Sequence, residues 1–101
     1  MPTLYEILYT STLAPTAQVT QVAGIVTKAR ARNAELDLTG LLVFDGLHFC
    51  QQIEGSREEV LKLMKAIQAD TRHTGVKVVH QGPLAERRFL RNRWRRSNGF
   101  A

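Results

Sequence analysis

Residues 38–55 read Leu38-Thr39-Gly40-Leu41-Leu42-Val43-Phe44-Asp45-Gly46-Leu47-His48-Phe49-Cys50-Gln51-Gln52-Ile53-Glu54-Gly55. Two strand-like runs flank Asp45-Gly46, a dipeptide suited to the positive φ angles of a tight hairpin turn. A two-residue loop at Asp45-Gly46 predicts that Phe44 pairs with Leu47, Leu42 with Phe49, Gly40 with Gln51 and Leu38 with Ile53. By alternation these four pairs share one face. That face is apolar apart from Gln51, which is expected opposite a glycine.

The pattern extends outward on both sides. Leu4 to Ser11 reads as a strand with Tyr5, Ile7 and Tyr9 turned inward. Pro15 marks a loop, and from Ala17 the spacing of Val19, Val22, Val26 and Ala29 changes to that of a helix. The same stripe continues to Asn33, where a C-terminal cap is the ordinary reading. After the hairpin, Gly55 ends the strand and Ser56-Arg57-Glu58-Glu59 fits a capping box. Val60, Leu63, Met64 and Ile67 then stripe a second helix. Gly75 closes the next connection, Val76 to Gln81 is a fourth strand ended by Pro83, and residues 88–90 begin a fifth. The order β-α-β-β-α-β-β predicts an α+β, ferredoxin-like sandwich: a mixed sheet with two helices on one face. The β-α-β units are expected to place parallel strands side by side.

A length of 101 residues allows one domain, and 44 % apolar content is enough for a real core. No apolar run approaches the ~20 residues of a membrane span. The N-terminus lacks a secretory signal and the single Cys50 cannot form an internal disulfide, so a cytoplasmic setting is expected. The net charge of +5 is unevenly placed. Residues 1–86 hold 8 basic and 9 acidic residues, whereas residues 87–101 hold 6 arginines and no acid. The division expected is a domain over 1–90 and a basic tail over 91–101.

The informative residues are polar ones in apolar places. Gln51 and Tyr9 both look from the sheet toward the helices, and Asn33 looks back from the first helix. Taken singly, each has a structural reading: an amide bonded to backbone, a packed phenol, a helix cap. Taken together, a phenol and two amides around one cavity can hold the amide and carbonyl edges of a flat heterocycle.

Tyr9-Thr10-Ser11, Arg32-Asn33, Leu38-Thr39-Gly40-Leu41-Leu42, Phe49-Cys50-Gln51-Gln52-Ile53-Glu54-Gly55 and Asp70-Thr71-Arg72-His73 occur in this order. Together they resemble the BLUF family, flavin-using sensors of blue light, over about residues 4–89. The resemblance implies an FAD ring held between the two helices. It implies that Tyr9 gives an electron and a proton to the excited flavin and that Gln51, beside it, rearranges its hydrogen bonds. It assigns Asn33 to the flavin carbonyl and imide edge, with Arg32 beside it. It assigns Ile25 and Ile67 to the two faces of the ring, Phe49 to the pocket wall, and Asp70, Arg72 and His73 to the ribityl and phosphate end. Two departures stand out. Gln52 follows the glutamine where many members carry an aromatic or branched residue. At the last strand Trp94 matches either the family Trp or, ungapped from Phe89, the family Met. Members often continue into further helices, so the chain is expected to be a minimal sensor or a piece of a longer protein.

The expected function is therefore a non-enzymatic photoreceptor that signals to a partner or to a second copy of itself. The sheet surface around His48, Cys50 and Gln52 is the expected self-association face. No Ser-His-Asp signature, metal-ligand cluster or G-x-G-x-x-G is apparent. An alternative is a nucleic-acid-binding module that uses Arg87, Arg88, Arg91, Arg93, Arg95 and Arg96 with Trp94 available to stack.

Overall fold

The hairpin forms, with a register two residues from the expected one. In the computed structural model, which describes residues 4–89 and the backbone of 92–96, Phe44 pairs with Phe49, Leu42 with Gln51 and Gly40 with Ile53. The turn is centred on Gly46-Leu47, not on Asp45-Gly46. The Asp45 N–H donates to the His48 carbonyl at 3.1 Å, and its carboxylate accepts from the Leu47 and His48 N–H groups. Positive φ is confined to Gly46 within this turn. The aspartate thus serves as a side-chain cap on the loop, a role open to any Asx residue beside a tight turn. A shift of two residues preserves which side chains face inward, so the expected face survives the error.

The elements are β1 (Leu4–Leu13), a 3-10 turn (Val19–Gln21), α1 (Val22–Glu35), β2 (Thr39–Phe44), β3 (His48–Ser56), α2 (Arg57–Ala69), β4 (His73–Leu84) and β5 (Asn92–Arg96). The sheet order is β4-β1-β3-β2-β5. This is the ferredoxin-like α+β arrangement with one added strand. The expectation of parallel neighbours within each β-α-β unit is corrected. β3 lies between β1 and β2, and β1 lies between β3 and β4, with antiparallel pairing at each contact. The parallel neighbours are β2 and β5. The fifth strand starts at Asn92, after the 88–90 segment expected to begin it; Leu90 and Arg91 lie outside the described residues.

Local chemistry explains the boundaries. Ser56 caps α2, its hydroxyl accepting from the Glu59 N–H at 3.3 Å. Val60, Leu63, Met64 and Ile67 are all buried, as the helical stripe required. At the start of α1, the Gln18 N–H donates to the Gln21 side chain, holding a 3-10 turn that leaves Val19 46 % exposed and out of the stripe. At its end, Asn33 is buried within the helix and is not its cap. The left-handed residue is Asp37, at φ 56°, with the Leu38 N–H reaching back to the Asn33 carbonyl and the Asp37 N–H to the Ala34 carbonyl. That is the Schellman pattern. β4 runs through Pro83, which an edge strand tolerates because a residue without an N–H loses no ladder bond on a side that has no neighbouring strand. Gly75, at φ 59°, sits where the β1–β4 register shifts between Thr10 and Thr12.

The core divides in two. One cluster packs α2 on β1 and β3 through Ile7, Tyr9, Ile53, Val60, Leu63, Met64 and Ile67. The other packs α1 on β2 and β3 through Val22, Val26, Leu42, Phe44 and Phe49. α1 buries only Val22, Val26 and Asn33, so it is held more lightly than α2.

After α2 the chain turns into β4 around Asp70. Its carboxylate takes the Arg72 guanidinium in a forked contact, with the shortest bond at 2.7 Å, and accepts the Arg72 N–H. These bonds hold the Asp70 carboxyl down at about 2. A depressed pKa stabilises the fold fully above the unfolded value of about 3.9 and loses that contribution as pH falls through the folded value. The stability gap between the native chain and Asp70→Asn, measured by denaturant unfolding, is therefore expected to close between about pH 4 and pH 2. A gap that stays constant across that range would show that Asp70 is not the titrating group.

Two glycines give a second prediction. A β-carbon on Gly40 would overlap the Gln52 carbonyl, whereas one on Gly24 would meet nothing within 4 Å. Gly40→Ala is expected to cost about 1–3 kcal/mol or more by overpacking against backbone, and Gly24→Ala to add up to about 1 kcal/mol of helix stability. Thermal melts of the two variants should move in opposite directions, and a Gly40→Ala melt equal to the parent's would contradict the close approach.

Candidate functional site

The seam between the two core clusters opens into a cavity. Tyr9 and Ile67 line it from one side, Leu42 and Phe49 from the other, and Gln51 lies on its floor. β1 and β3 bring the two polar residues together, because Tyr9 and Gln51 are direct register partners. The Tyr9 hydroxyl donates to Gln51 Oε1 at 2.6 Å, and both residues are buried. An amide that accepts at oxygen still carries two N–H donors.

α1 contributes Ile25, Lys28, Ala29 and Arg32 to the cavity, and the α2–β4 turn contributes Asp70, Arg72 and His73. Nine of the expected positions therefore line one space: Tyr9, Ile25, Arg32, Phe49, Gln51, Ile67, Asp70, Arg72 and His73. Asn33 stands one step back. It is 3 % exposed, and Arg32 Nε and Nη2 donate to its Oδ1 at 3.4 and 3.5 Å. Lys28, Ala29 and Leu42 were not named as site residues from the sequence. The signal for them was present: Lys28 and Ala29 fall between Ile25 and Arg32 at helical spacing, and Leu42 alternates onto the inward face.

Electrostatics differ along the cavity. Burial pushes the Tyr9 phenol well above its usual range, with the nearby Arg32 charge opposing that rise. The phenol is therefore neutral, with its proton held, across physiological pH. Arg32 as a residue is exposed, yet its guanidinium end is partly withdrawn from water, and that lowers its pKa. Burial also lowers His73, against the pull of Asp70, so its imidazole is neutral at pH 7. His73 Nδ1 lies 2.9 Å from the buried Ser11 hydroxyl, and its ring sits 4.7 Å from that of Phe49. Ser11 thus orients His73, a role its place in the sequence did not reveal. Arg72 spends Nε and Nη2 on Asp70, so only part of its donor fork is left for an anion.

The residues fit an isoalloxazine ring. Ile25 and Ile67 approach from the two helices, and the polar groups gather at the floor and rim. The enclosed volume is about 140 Å³, below the ~300–1,000 Å³ of pockets that enclose drug-sized ligands. A lightly held α1 borders that space, so widening it disturbs little buried apolar surface.

The nucleic-acid reading is not supported. Arg87 and Arg88, the first two of its six arginines, are bonded to acceptors of their own domain, including Asp37, Glu54 and Glu6. The side chains of Arg93, Trp94, Arg95 and Arg96 lie outside the described residues, as does the choice between the two alignments of Trp94. Of the expected self-association face, His48 and Cys50 are exposed, while Gln52 is half-buried and bonded to Glu6.

Known proteins share this arrangement. The family model described as "Sensors of blue-light using FAD" matches residues 4–95. The blue light- and temperature-regulated antirepressor BluF of Escherichia coli (strain K12) is 36 % identical over 73 residues, covering 72 % of this chain and 18 % of its own length. The dark-state structure of BlrB, a BLUF protein, superposes with a TM-score of 0.84 at 32 % identity, covering 94 % of this chain and 74 % of that one. A structure of Klebsiella pneumoniae BlrP1 with FMN and cyclic diGMP has the same TM-score at 33 % identity, covering 93 % of this chain and 25 % of that one. The chain spans less than a fifth of the length of the curated relatives it matches. With the family matched from β1 into β5 and the fold shared at that level, the chain belongs to the BLUF family of flavin-binding blue-light sensors.

Proposed function

We propose that this chain is a blue-light photoreceptor that works through Tyr9 and Gln51, with FAD as its flavin. The observation that carries the reading is the buried 2.6 Å bond from the Tyr9 hydroxyl to Gln51 Oε1 on the floor of the cavity. The flavin, when bound, supplies a blue-light-absorbing ring that becomes a strong electron acceptor on excitation. Ile25 and Ile67 would hold the faces of the ring and exclude water. Tyr9 would be the group that can give an electron together with its phenolic proton, because the bond to Gln51 Oε1 offers that proton a path and keeps charge from accumulating on a buried phenol. Gln51 would serve as the adjustable link: its amide accepts at oxygen and donates at nitrogen, so turning it over exchanges donor for acceptor without changing a covalent bond to carbon and alters the hydrogen-bond field of the cavity.

The family name supports FAD, and one relative's structure holds FMN; both share the ring that Gln51 and Asn33 would address. Lys28, Arg32 and the remaining donor of Arg72 give the cavity rim the positive charge that phosphates need. We read the chain as a sensor, not an enzyme. We propose that it works in the cytoplasm and that its output passes to a downstream protein or a second copy of the chain. Residues 1–90 carry the flavin chemistry and residues 91–101 connect it to that output. No helix among the described residues is long and apolar enough to cross a membrane.

The test is an absorption spectrum of the flavin-loaded protein before and after blue light. A reversible red shift is expected, lost in Tyr9→Phe and in Gln51→Ala and kept in Cys50→Ala, whose side chain faces away from the cavity. Protein that takes up no flavin, or a shift that survives Tyr9→Phe, would contradict the proposal.

A further inference from the structure

The face of the sheet away from the helices holds a second buried polar assembly. Glu6 on β1 and Glu54 on β3 are direct register partners, 3 % and 0 % exposed. Like charges opposite one another on adjacent strands repel, and buried carboxylates are costly unless donors surround them. The donors come from the C-terminal arm. Glu54 accepts the Arg88 N–H at 2.9 Å and the Phe89 N–H at 3.1 Å, together with the Thr39 hydroxyl. Glu6 accepts the Arg88 guanidinium at 3.1 Å and the Gln52 amide at 2.5 Å, with His80 Nε2 at 3.3 Å. Arg88 therefore bridges both acids, its main chain on one and its side chain on the other. Arg87 reaches the Thr39 hydroxyl and the Asp37 carbonyl.

These bonds fix residues 87–89 just before β5, which pairs with β2. The Arg88 guanidinium is largely exposed, so its ion pair is the weaker part. The two main-chain bonds to Glu54 are charge-assisted and carry most of the hold. The anchor also touches the proposed photochemistry through one peptide link. Gln51 faces the cavity, and the next residue, Gln52, faces Glu6.

We propose that Glu54 and Glu6 are positioning residues that clamp the 87–89 arm, and with it β5, to the sheet, and that the Gln52–Glu6 bond makes the clamp sensitive to the state of Gln51. The second clause rests on the photoreceptor reading; the first does not. No atom of either carboxylate enters the light reaction.

The experiment is hydrogen–deuterium exchange of the flavin-loaded protein in darkness and under blue light, with the absorption shift recorded on the same samples. Glu54→Gln keeps one oxygen and replaces the other with an NH₂ group, so one of the two arm N–H groups loses its acceptor. Exchange at residues 88–89 is expected to rise about 10-fold or more in darkness, while the red shift is retained. In the parent, light is expected to raise exchange at 88–89, and Gln52→Leu to remove that light effect without removing the red shift. Arg88→Ala, which spares the main-chain bonds, is expected to loosen the arm less than Glu54→Gln, and it provides the comparison if Glu54→Gln does not fold. Equal exchange at 88–89 in the parent and Glu54→Gln or, should that variant not fold, in the parent, Glu6→Gln and Arg88→Ala, would overturn the clamp. A parent whose arm exchanges identically in light and darkness, while its spectrum shifts, would overturn the link to Gln51. A parent with no spectral shift at all would instead overturn the photoreceptor reading and leave the dark-state comparison standing.

Discussion

A phenol buried in a protein core must donate its hydrogen bond to an acceptor, and in this chain Tyr9 donates it to Gln51 Oε1 at 2.6 Å. That bond sets conditions on the rest of the fold. Tyr9 and Gln51 must be register partners, which fixes β1 against β3. A slip of one residue would turn both side chains to the other face. The hairpin must hold β3 in place, which the Asp45 cap and the close approach at Gly40 achieve. The pair must also face a space and not solid packing, and the division of the core into two clusters provides that space.

The two helices play unequal parts. α2 is well capped and buries four large side chains in a row, so it makes a fixed wall. α1 starts late after a 3-10 turn and buries little, so it makes the more lightly held wall. Asn33, buried where a cap was expected, is the polar residue this wall carries. Arg32 and Lys28 sit on the same helix, so charge for phosphate groups arrives with the same wall.

The fold and the inward facing of Tyr9 and Gln51 were legible because they rest on periodicity. Alternation placed Tyr9, Gln51 and Phe49 on one face even though the hairpin register was misplaced by two. The error arose because Asp45-Gly46 satisfies a turn motif equally well as a loop or as its capping residue and first loop position. Strand adjacency was misread because helical crossovers fix relative direction, not which strands touch. The outer-face carboxylates were illegible for a different reason. Glu6 and Glu54 alternate onto a face that is usually solvated, and the groups that cover them lie more than thirty residues further along the chain. The charge excess lies in six arginines over residues 87–101, and the first two of these, Arg87 and Arg88, are bonded to the domain's own acids.

The central claim is that Tyr9, through Gln51, is the group that responds to light. A light-minus-dark infrared difference spectrum of protein carrying ring-labelled tyrosine tests it most directly, because the chain has only two tyrosines. The account predicts tyrosine bands that shift with the label, persist in Tyr5→Phe and disappear in Tyr9→Phe. A difference spectrum with no labelled-tyrosine bands, or with bands that vanish only in Tyr5→Phe, would contradict it.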